Sequence, residues 1–292
     1  MTRLRLRPRP GGISAAAPVE TTAASDRRPI AALVAVMLVF AALTSVVAVA
    51  TPAWEAADEP SHVHNVETLV AGHWYRIPRH VSLKIPSELH QPPLYYALLA
   101  GFQRVAGRPV EPVTPGPVNF GFVRPFRHGF YKHHSAEQHR FLLLLRLPNV
   151  VLGLAAILLT FLTARAISGD AWTPAIAAAI VAFVPRFVFL SAFVTNDNLV
   201  NALGAALAYC TVRCVRAPGW RWAAAVGAVL GLLLITKVSA LPVAAVLIPV
   251  ALAAGTRKRR ATVLAVAAAA VAALFAFQIY LHREPRARTS AA

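Results

Sequence analysis

Long runs of apolar residues, separated by short polar segments, make up most of this chain. A helix needs about 20 apolar residues to cross the hydrocarbon core of a bilayer. Runs that approach this length predict an all-α polytopic membrane protein with about seven transmembrane helices. The predicted spans cover residues 30–50, then, within 141–281, residues 147–164, 171–190, 198–212, two helices in 222–256 divided near Lys237, Ser239 and Pro242, and 261–281.

One long polar segment, residues 51–140, separates the first span from the second. Asp58 followed by Glu59 and Pro60 is typical of a helix start, because a side-chain acceptor, an acid and a proline each suit the first turn. Apolar residues at helical spacing then form one stripe, and Gly72 can end the helix. The members of this stripe are Val63, Val66, Leu69 and Val70.

A second short helix in this segment is predicted to begin at Pro92 and Pro93. Apolar residues recur there at helical spacing, namely Leu94, Leu98, Phe102 and Val105. We expect both short helices to lie along the membrane surface, where an amphipathic helix buries one face at the boundary between headgroups and acyl chains.

Composition excludes a soluble enzyme. Hydrophobic residues make up 57% of the chain, charged residues 14%, and the mean hydropathy is +0.57. A soluble domain of this size needs roughly 25% charged residues to cover its surface. The net charge of +17 arises from 29 basic and 12 acidic residues. In a membrane protein such an excess marks cytoplasmic loops and lipid headgroup contacts, so we expect no nucleic-acid partner.

The basic residues also predict how the chain is oriented. Residues 1–29 form an arginine-rich tail that we expect to be disordered and cytoplasmic, and the first span is longer than the apolar core of a cleaved signal peptide. Counting crossings from this tail places Arg165, the group at 213–221 and the run at 257–260 in the cytoplasm as well. The tail at 282–292 is also basic but falls outside on this count. A six-span alternative would bring this tail into the cytoplasm but would place the run at 257–260 outside. We expect a multi-pass protein of the plasma membrane.

The outer segment 51–140 holds the candidate chemistry. It contains seven of the twelve acids and nine of the ten histidines, and long loops of this kind tend to be functional. Asp58 and Glu59, at the start of a helix just outside the bilayer, are the candidate catalytic residues. The alternative is that both only cap the helix and favour its dipole.

A divalent metal site is a second interpretation of the same residues. Asp58 and His62 are four residues apart on one helix, so both could bind one ion. The chain lacks the metal-site motifs that would support this assignment. The metal question therefore stays open at the level of sequence, and no cofactor is certain.

Further charged residues converge on the same membrane face. Arg186 lies about one turn inside the outer end of the third span, and an intramembrane arginine usually faces a polar cavity or a counter-charge, although it can also snorkel to the interface. Asp197 precedes the fourth span, where it could simply cap the helix. Lys237 falls on this face too. Two cations beside several acids suit an anionic lipid headgroup next to a general base.

Four motifs in order resemble the GT-C superfamily of membrane glycosyltransferases, and within it the bacterial relatives of protein O-mannosyltransferases and lipid A aminoarabinose transferase. They are Asp58-Glu59, Gln91-Pro92-Pro93-Leu94-Tyr95-Tyr96, Asn196-Asp197 and Leu234-Ile235-Thr236-Lys237. The variant Asp58-Glu59-Pro60-Ser61-His62 is most similar to a bacterial branch of predicted GT-C membrane proteins.

The resemblance implies transfer of a sugar from a polyprenyl-phosphate donor to an acceptor on the extracytoplasmic face. Asp58 or Glu59 would be the general base on the acceptor hydroxyl. Arg186 and Lys237 would stabilise the departing phosphate, a role inferred from their position rather than from a family motif. His62 and Asp197 complete the expected substrate-binding set. The expected partners are the lipid-linked sugar donor, membrane lipid, and an acceptor that the residues do not identify.

Two other classes of function compete with this interpretation. The chain could be a non-catalytic transporter or flippase component, but a transporter should show internal repeats and broken helices near the midplane. No repeat is visible, and the acids collect in an outer loop. An inactive scaffold is the other alternative, because members of the family usually continue through further helices, so that the chain resembles a truncated gene product.

Overall fold

The computed structural model describes residues 27–56, 58–73, 88, 91–108, 135–217 and 219–240, and scattered positions between 242 and 276. In these ranges the backbone is helical or in turns and bends, which confirms the predicted all-α class. The helices are α1 Arg28–Ala50, α2 Glu59–Val70, α3 Leu94–Val105, α4 Ala136–Ile167, α5 Thr173–Ala182, α6 Pro185–Ser191, α7 Asp197–Arg216 and α8 Trp220–Leu234, followed by a short 3-10 turn at Val238–Ala240. The predicted tail at 1–29 lies almost wholly outside the described residues.

Three helices, α1, α4 and α7, are long and apolar enough to cross a membrane. The pair α5 and α6 adds a fourth crossing if its two halves, bent by 67°, are one broken span. Helix α8 is apolar but has only 15 residues. Seven spans are therefore not confirmed, and the last two predicted spans fall largely outside the described residues. The chain is nevertheless a polytopic helical membrane protein.

The bend between α5 and α6 follows from Pro185. Proline disfavours the helical conformation in the residue before it, and Val184 accordingly has extended backbone angles. Helix α6 then begins with Pro185 in its first turn, where the missing N–H costs no hydrogen bond. Because the chain bends by 67° at this point, Arg186 lies on a helix with a different direction from that of α5.

Helix α4 is the centre of the bundle, because α1, α5 and α7 all pack against it, and α8 packs against α7. It begins with a capping box between Ser135 and Gln138 and continues as a helix through Pro148. The sequence placed the edge of the second span at Arg146, but Arg146 lies inside α4 and is buried. The helix therefore begins at Ala136, well before the apolar run that predicted it.

The two short helices of the outer segment form as predicted. Helices α2 and α3 pack against each other, and their buried apolar faces join the N-terminal ends of α4 and α7 in one core cluster. The apolar stripe of α2 thus packs against protein, whereas the sequence predicted that it faces the membrane surface. Arg104 of α3 donates from Nη2 to the carbonyls of Leu69 and Val70, at 2.8 and 3.0 Å. These carbonyls belong to the last turn of α2, where the regular helical ladder ends, and the Leu69 carbonyl also accepts from the backbone N–H of Gly72 at 3.0 Å. The outer helices are thus a fixed layer on the bundle.

Gly153 of α4 lies where α1 and the end of α6 come close to α4. A Cβ atom at this position would lie 2.7 Å from Ser191 Oγ and 2.8 Å from Phe40 Cζ. We expect Gly153→Ala to destabilise the protein by about 1–3 kcal/mol, because α1 or the end of α6 must shift to make room. The measurement is the thermal unfolding midpoint of the purified chain in detergent.

Gly204→Ala is the matched control for this substitution. Gly204 is also helical, in α7, and an added Cβ would meet no atom within 4 Å. Alanine should be neutral there or slightly stabilising, since it is the better helix former. An equal midpoint for the two variants would contradict the close contact at Gly153.

Candidate active site

Glu59, the first residue of α2, is fully buried and forms an ion pair with Arg146 of α4. The pair is bidentate: Arg146 Nε donates to Glu59 Oε1 at 3.0 Å, and Nη2 donates to Oε2 at 2.7 Å. The backbone N–H of Val194 also donates to Oε1, at 3.0 Å. Both carboxylate oxygens of Glu59 are therefore already occupied by donors.

The remaining donor atom of Arg146 connects this pair to α1. Its Nη1 donates to the backbone carbonyls of Ala48 and Thr51, which are at the C-terminal end of α1. The guanidinium also lies over the ring of Phe193, 4.9 Å from the centroid. A single buried ion pair thus connects the end of α1, the start of α2, the middle of α4 and the segment that precedes α7.

Asp58, next to Glu59, has a different environment. It occupies the N-cap position of α2, as predicted, but its side chain forms no capping hydrogen bond and is exposed. Its backbone is in the left-handed region, with φ 60°. Such a conformation costs of order 1 kcal/mol in a non-glycine residue, although aspartate tolerates it better than most. The capping role does not account for Asp58, and strained backbone of this kind is common at functional sites.

A cleft of about 260 Å³ opens at the end of the bundle where α2, α6 and α7 meet. Five of the six site residues predicted from the sequence line this cleft: Asp58, His62, Arg186, Asp197 and Lys237. The sixth, Glu59, is not part of its lining. The other lining residues are Glu88, Gln91, Phe189, Leu190, Phe193 and Thr195. Residues from four separate parts of the sequence therefore meet in one polar cleft.

The cationic side of the cleft contains Arg186 and Lys237. Lys237 Nζ donates to Asp197 Oδ1 at 2.6 Å, and the two side chains are 20% and 35% exposed. An ion pair this open to water contributes little to stability, about 0–1 kcal/mol. The pair is thus weak enough for an anion that enters the cleft to compete with Asp197 for the ammonium group.

His62 lies on the α2 side of the cleft and contacts Tyr96 of α3. Its Nδ1 is 2.8 Å from the Tyr96 hydroxyl, which can donate or accept and so suits either ring tautomer. Burial raises the pKa of Tyr96 well above its usual value, and the nearby charge of Glu88 adds to this effect. The hydroxyl therefore keeps its proton at neutral pH, and the contact with His62 is retained.

A buried amide network holds the segment between α6 and α7 in place. Asn198 Nδ2 donates to the carbonyls of Leu190 and Phe193, at 2.9 and 3.0 Å, and to Asn149 Oδ1 at 3.0 Å. The Tyr95 hydroxyl donates to the same Asn149 oxygen at 2.7 Å. Helices α3, α4 and α7 are thereby joined directly beneath the cleft.

The metal interpretation gains no support from the described part of the chain. No group of three or more histidine, cysteine, aspartate or glutamate side chains is arranged there to hold an ion. Asp58 and His62 do line one cleft, so a ligand that bridges them remains compatible with their position. The metal candidates of the sequence thus stay a prediction.

Sequence reasoning missed Arg146, Asn149 and Asn198 as residues that build this site. Arg146 was interpreted as the edge of a span. An arginine next to apolar residues usually faces a counter-charge, and this argument, which was applied to Arg186, holds for Arg146 as well. The two asparagines carry no such signal, because an isolated amide in a helix predicts no particular partner. Tyr96 belongs to a motif that was noted, but its contact with His62 was not foreseen.

The helical bundle is similar in fold to two solved structures, a protein O-mannosyltransferase complex and an oligosaccharyltransferase, both of which belong to the GT-C superfamily of membrane glycosyltransferases. In particular, residues 142–281 match the family model of the dolichyl-phosphate-mannose-protein mannosyltransferases. The resemblance inferred from the sequence motifs is confirmed by these two findings. No curated protein matches the chain in sequence.

Two solved structures share the fold. The protein O-mannosyltransferase Pmt1–Pmt2 complex of S. cerevisiae, bound to the sugar donor, is 18% identical with a TM-score of 0.50, over 85% of this chain and 32% of that chain. The oligosaccharyltransferase of Archaeoglobus fulgidus, in the apo form, is 17% identical with a TM-score of 0.52, over 84% of this chain and 29% of that chain. The chain thus spans about a third of the length of either protein.

We expect Glu59→Gln to lower the stability of the protein by about 3–5 kcal/mol, because it leaves the Arg146 guanidinium buried without a carboxylate. Glu137→Gln is the control, since Glu137 is exposed in the first turn of α4. The measurement is the thermal unfolding midpoint in detergent. The double variant Glu59→Gln/Arg146→Met should be less destabilised than the sum of its single variants, and simple additivity would contradict a coupled pair.

Proposed function

We propose that the protein is a membrane glycosyltransferase that transfers a sugar from a polyprenyl-phosphate donor to an acceptor on the extracytoplasmic face of the plasma membrane, with its N-terminus in the cytoplasm. The observation that carries the proposal is the cleft itself. It combines an exposed carboxylate, Asp58, with two cations, Arg186 and Lys237, at one end of a membrane-spanning bundle. Such a cleft can be reached by a lipid-linked substrate from the membrane and by an acceptor from water.

The general base in this proposal is Asp58 rather than Glu59. A base needs a carboxylate oxygen within reach of the acceptor hydroxyl. Asp58 lines the cleft and forms no capping hydrogen bond, whereas both oxygens of Glu59 are taken by Arg146 and Val194. Glu59 is therefore assigned a structural role: it fixes the start of α2 and so the position of the adjacent Asp58.

The proposed reaction is a single displacement. The acceptor oxygen forms a bond to the anomeric carbon while its proton passes to Asp58, and the bond from that carbon to the phosphate oxygen breaks. The electron pair leaves with the polyprenyl phosphate. A phosphate needs little acid assistance to depart, so one carboxylate can suffice, and nearby cations stabilise the charge that develops on the leaving oxygen.

Arg186 and Lys237 are the residues proposed to bind that phosphate. Arg186 is the second residue of α6, directly after the bend, and Lys237 follows α8; both line the cleft. Asp197 holds Lys237 in place before the donor arrives. His62 lies on the side of the cleft that also contains Asp58, and we assign it to the binding of the sugar or acceptor.

The relatives support a membrane glycosyltransferase. One of the two similar structures is a protein O-mannosyltransferase described with its sugar donor bound, and the other is an oligosaccharyltransferase. Both act with sugars, and the family model that matches residues 142–281 is named for a lipid-phosphate mannose donor. The sequence identities are below a fifth, so we assign the donor and acceptor of this chain from the residues that line its cleft.

Asp58→Asn should reduce sugar transfer at least about 100-fold, since a positioned general base contributes 10²–10⁴-fold. The assay measures transfer from radiolabelled polyprenyl-phosphate sugars in membranes that contain the full chain. Asp170→Asn is the charge-matched control, because Asp170 caps α5 at the opposite end of the bundle and asparagine also caps helices. Transfer by Asp58→Asn at the parent rate would contradict its role as the base.

Removal of a cleft cation should weaken donor binding. We expect Arg186→Gln and Lys237→Met each to raise the KM for the lipid-linked donor about 10-fold or more, because a charge-assisted hydrogen bond to phosphate contributes about 1.5–3 kcal/mol. Lys237→Arg keeps the charge and should restore most of the affinity. A change in kcat alone, with KM unaltered in both variants, would contradict a binding role for these residues.

A further inference from the structure

Four arginines surround one corner of the bundle at the end opposite the cleft: Arg165, Arg213, Arg216 and Arg221. A hydrogen bond and two ring contacts hold three of them: Arg216, Arg213 and Arg221. Arg216 Nη1 donates to the carbonyl of Ala166, which joins the end of α7 to the end of α4 next to Arg165. These contacts place the C-terminal ends of α4 and α7 directly side by side.

Two tryptophans extend this corner to the start of α8. The guanidinium of Arg213 lies 5.1 Å from the ring centroid of Trp222, and that of Arg221 lies 6.0 Å from Trp220. A guanidinium over an indole ring is held by cation–π attraction and keeps its donor edge available to a further ligand. Trp220 itself is 70% exposed. The corner is therefore a cluster of fixed cations beside an exposed aromatic ring.

The positive charge of this corner is not neutralised by the surrounding described residues. None of the four guanidinium groups forms an ion pair in that part of the structure, and the Nε atom of Arg213 is buried without a hydrogen-bond partner. The acid nearest in sequence, Asp170, accepts hydrogen bonds from Trp172 and Thr173 at the start of α5. Those hydrogen bonds lower the pKa of Asp170, so it stays ionised but committed to the cap.

We propose that this corner binds the phosphate headgroup of an anionic phospholipid. Arginine donors match phosphate oxygens geometrically, and among the described residues no carboxylate competes for these guanidinium groups. The arginines lie where three membrane-associated helices end, which is headgroup depth, and tryptophan is enriched at that depth. Exposed apolar side chains next to the cluster, Ile167 and Val215, give the acyl chains a surface to contact.

A lipid fits the corner better than a free phosphate ion does. Free phosphate would use the arginines alone, whereas the adjoining surface of Ile167, Trp172, Val215 and Trp220 is apolar and exposed, from 41% to 70%. A ligand with an anionic head and hydrocarbon chains covers both parts at once. The site is distinct from the cleft, since none of its residues lines the cleft. The proposal therefore does not depend on the proposed enzymatic function.

The test compares the full chain with the variant Arg213→Gln/Arg216→Gln in lipid nanodiscs of phosphatidylcholine, with and without phosphatidylglycerol. Two arginines at the surface together correspond to about a 30-fold change in headgroup affinity. Native mass spectrometry should find phosphatidylglycerol retained on the parent and largely lost from the variant. Phosphatidylglycerol should raise the unfolding midpoint of the parent but not that of the variant.

The matched control is Arg108→Gln/Arg140→Gln, which removes two exposed arginines near the opposite end of the bundle. It should retain phosphatidylglycerol like the parent. Equal retention by the Arg213/Arg216 variant would overturn the proposal, and so would inorganic phosphate that stabilises the parent in pure phosphatidylcholine as well as the lipid does. If the glutamine variant does not fold, Arg213→Lys/Arg216→Lys takes its place: it keeps the charge, loses the forked donor geometry and should bind the lipid more weakly than the parent.

Discussion

The buried ion pair between Glu59 and Arg146 is the constraint on which the rest of this structure depends. Two charges taken out of water are costly unless each finds several partners, and here every side-chain nitrogen of Arg146 and both carboxylate oxygens of Glu59 are engaged. The partners come from α1, α2, α4 and the segment before α7. If the pair is intact, these elements have one relative position, and the cleft at their junction has one shape.

Two adjacent acids thereby acquire opposite properties. Glu59 is buried and paired, while Asp58 is exposed and its backbone is in the left-handed region. A carboxylate that must accept a proton benefits from a fixed position and from freedom from competing donors. Neither acid by itself combines a fixed position with carboxylate oxygens that are free of competing donors. The two residues divide these properties because Arg146 holds Glu59 inside the bundle, while Asp58, one residue earlier, lines the cleft.

The sequence predicted the parts of the molecule that local patterns determine. The bounds of α2 and α3 followed from proline, acids and apolar spacing, and the meeting of Asp58, Arg186, Asp197 and Lys237 followed from counting crossings. The sequence did not predict which residues, far apart along the chain, form contacts with each other. Glu59 and Arg146 are 87 residues apart, and Glu59 and Val194 are 135 apart. An arginine at the edge of a span and an arginine buried against a distant acid have the same local sequence.

That separation has a consequence for biosynthesis. Glu59 is synthesised 87 residues before Arg146, so for that interval it is an acid without its partner in a segment that cannot yet adopt its final fold. Arg146, when it emerges, belongs to an otherwise apolar helix whose insertion it opposes. Formation of the ion pair gives Glu59 its partner and neutralises the charge of Arg146 at the same time. The outer segment and the second span must therefore mature together, so a substitution at either residue should first appear as a defect in assembly of the nascent chain.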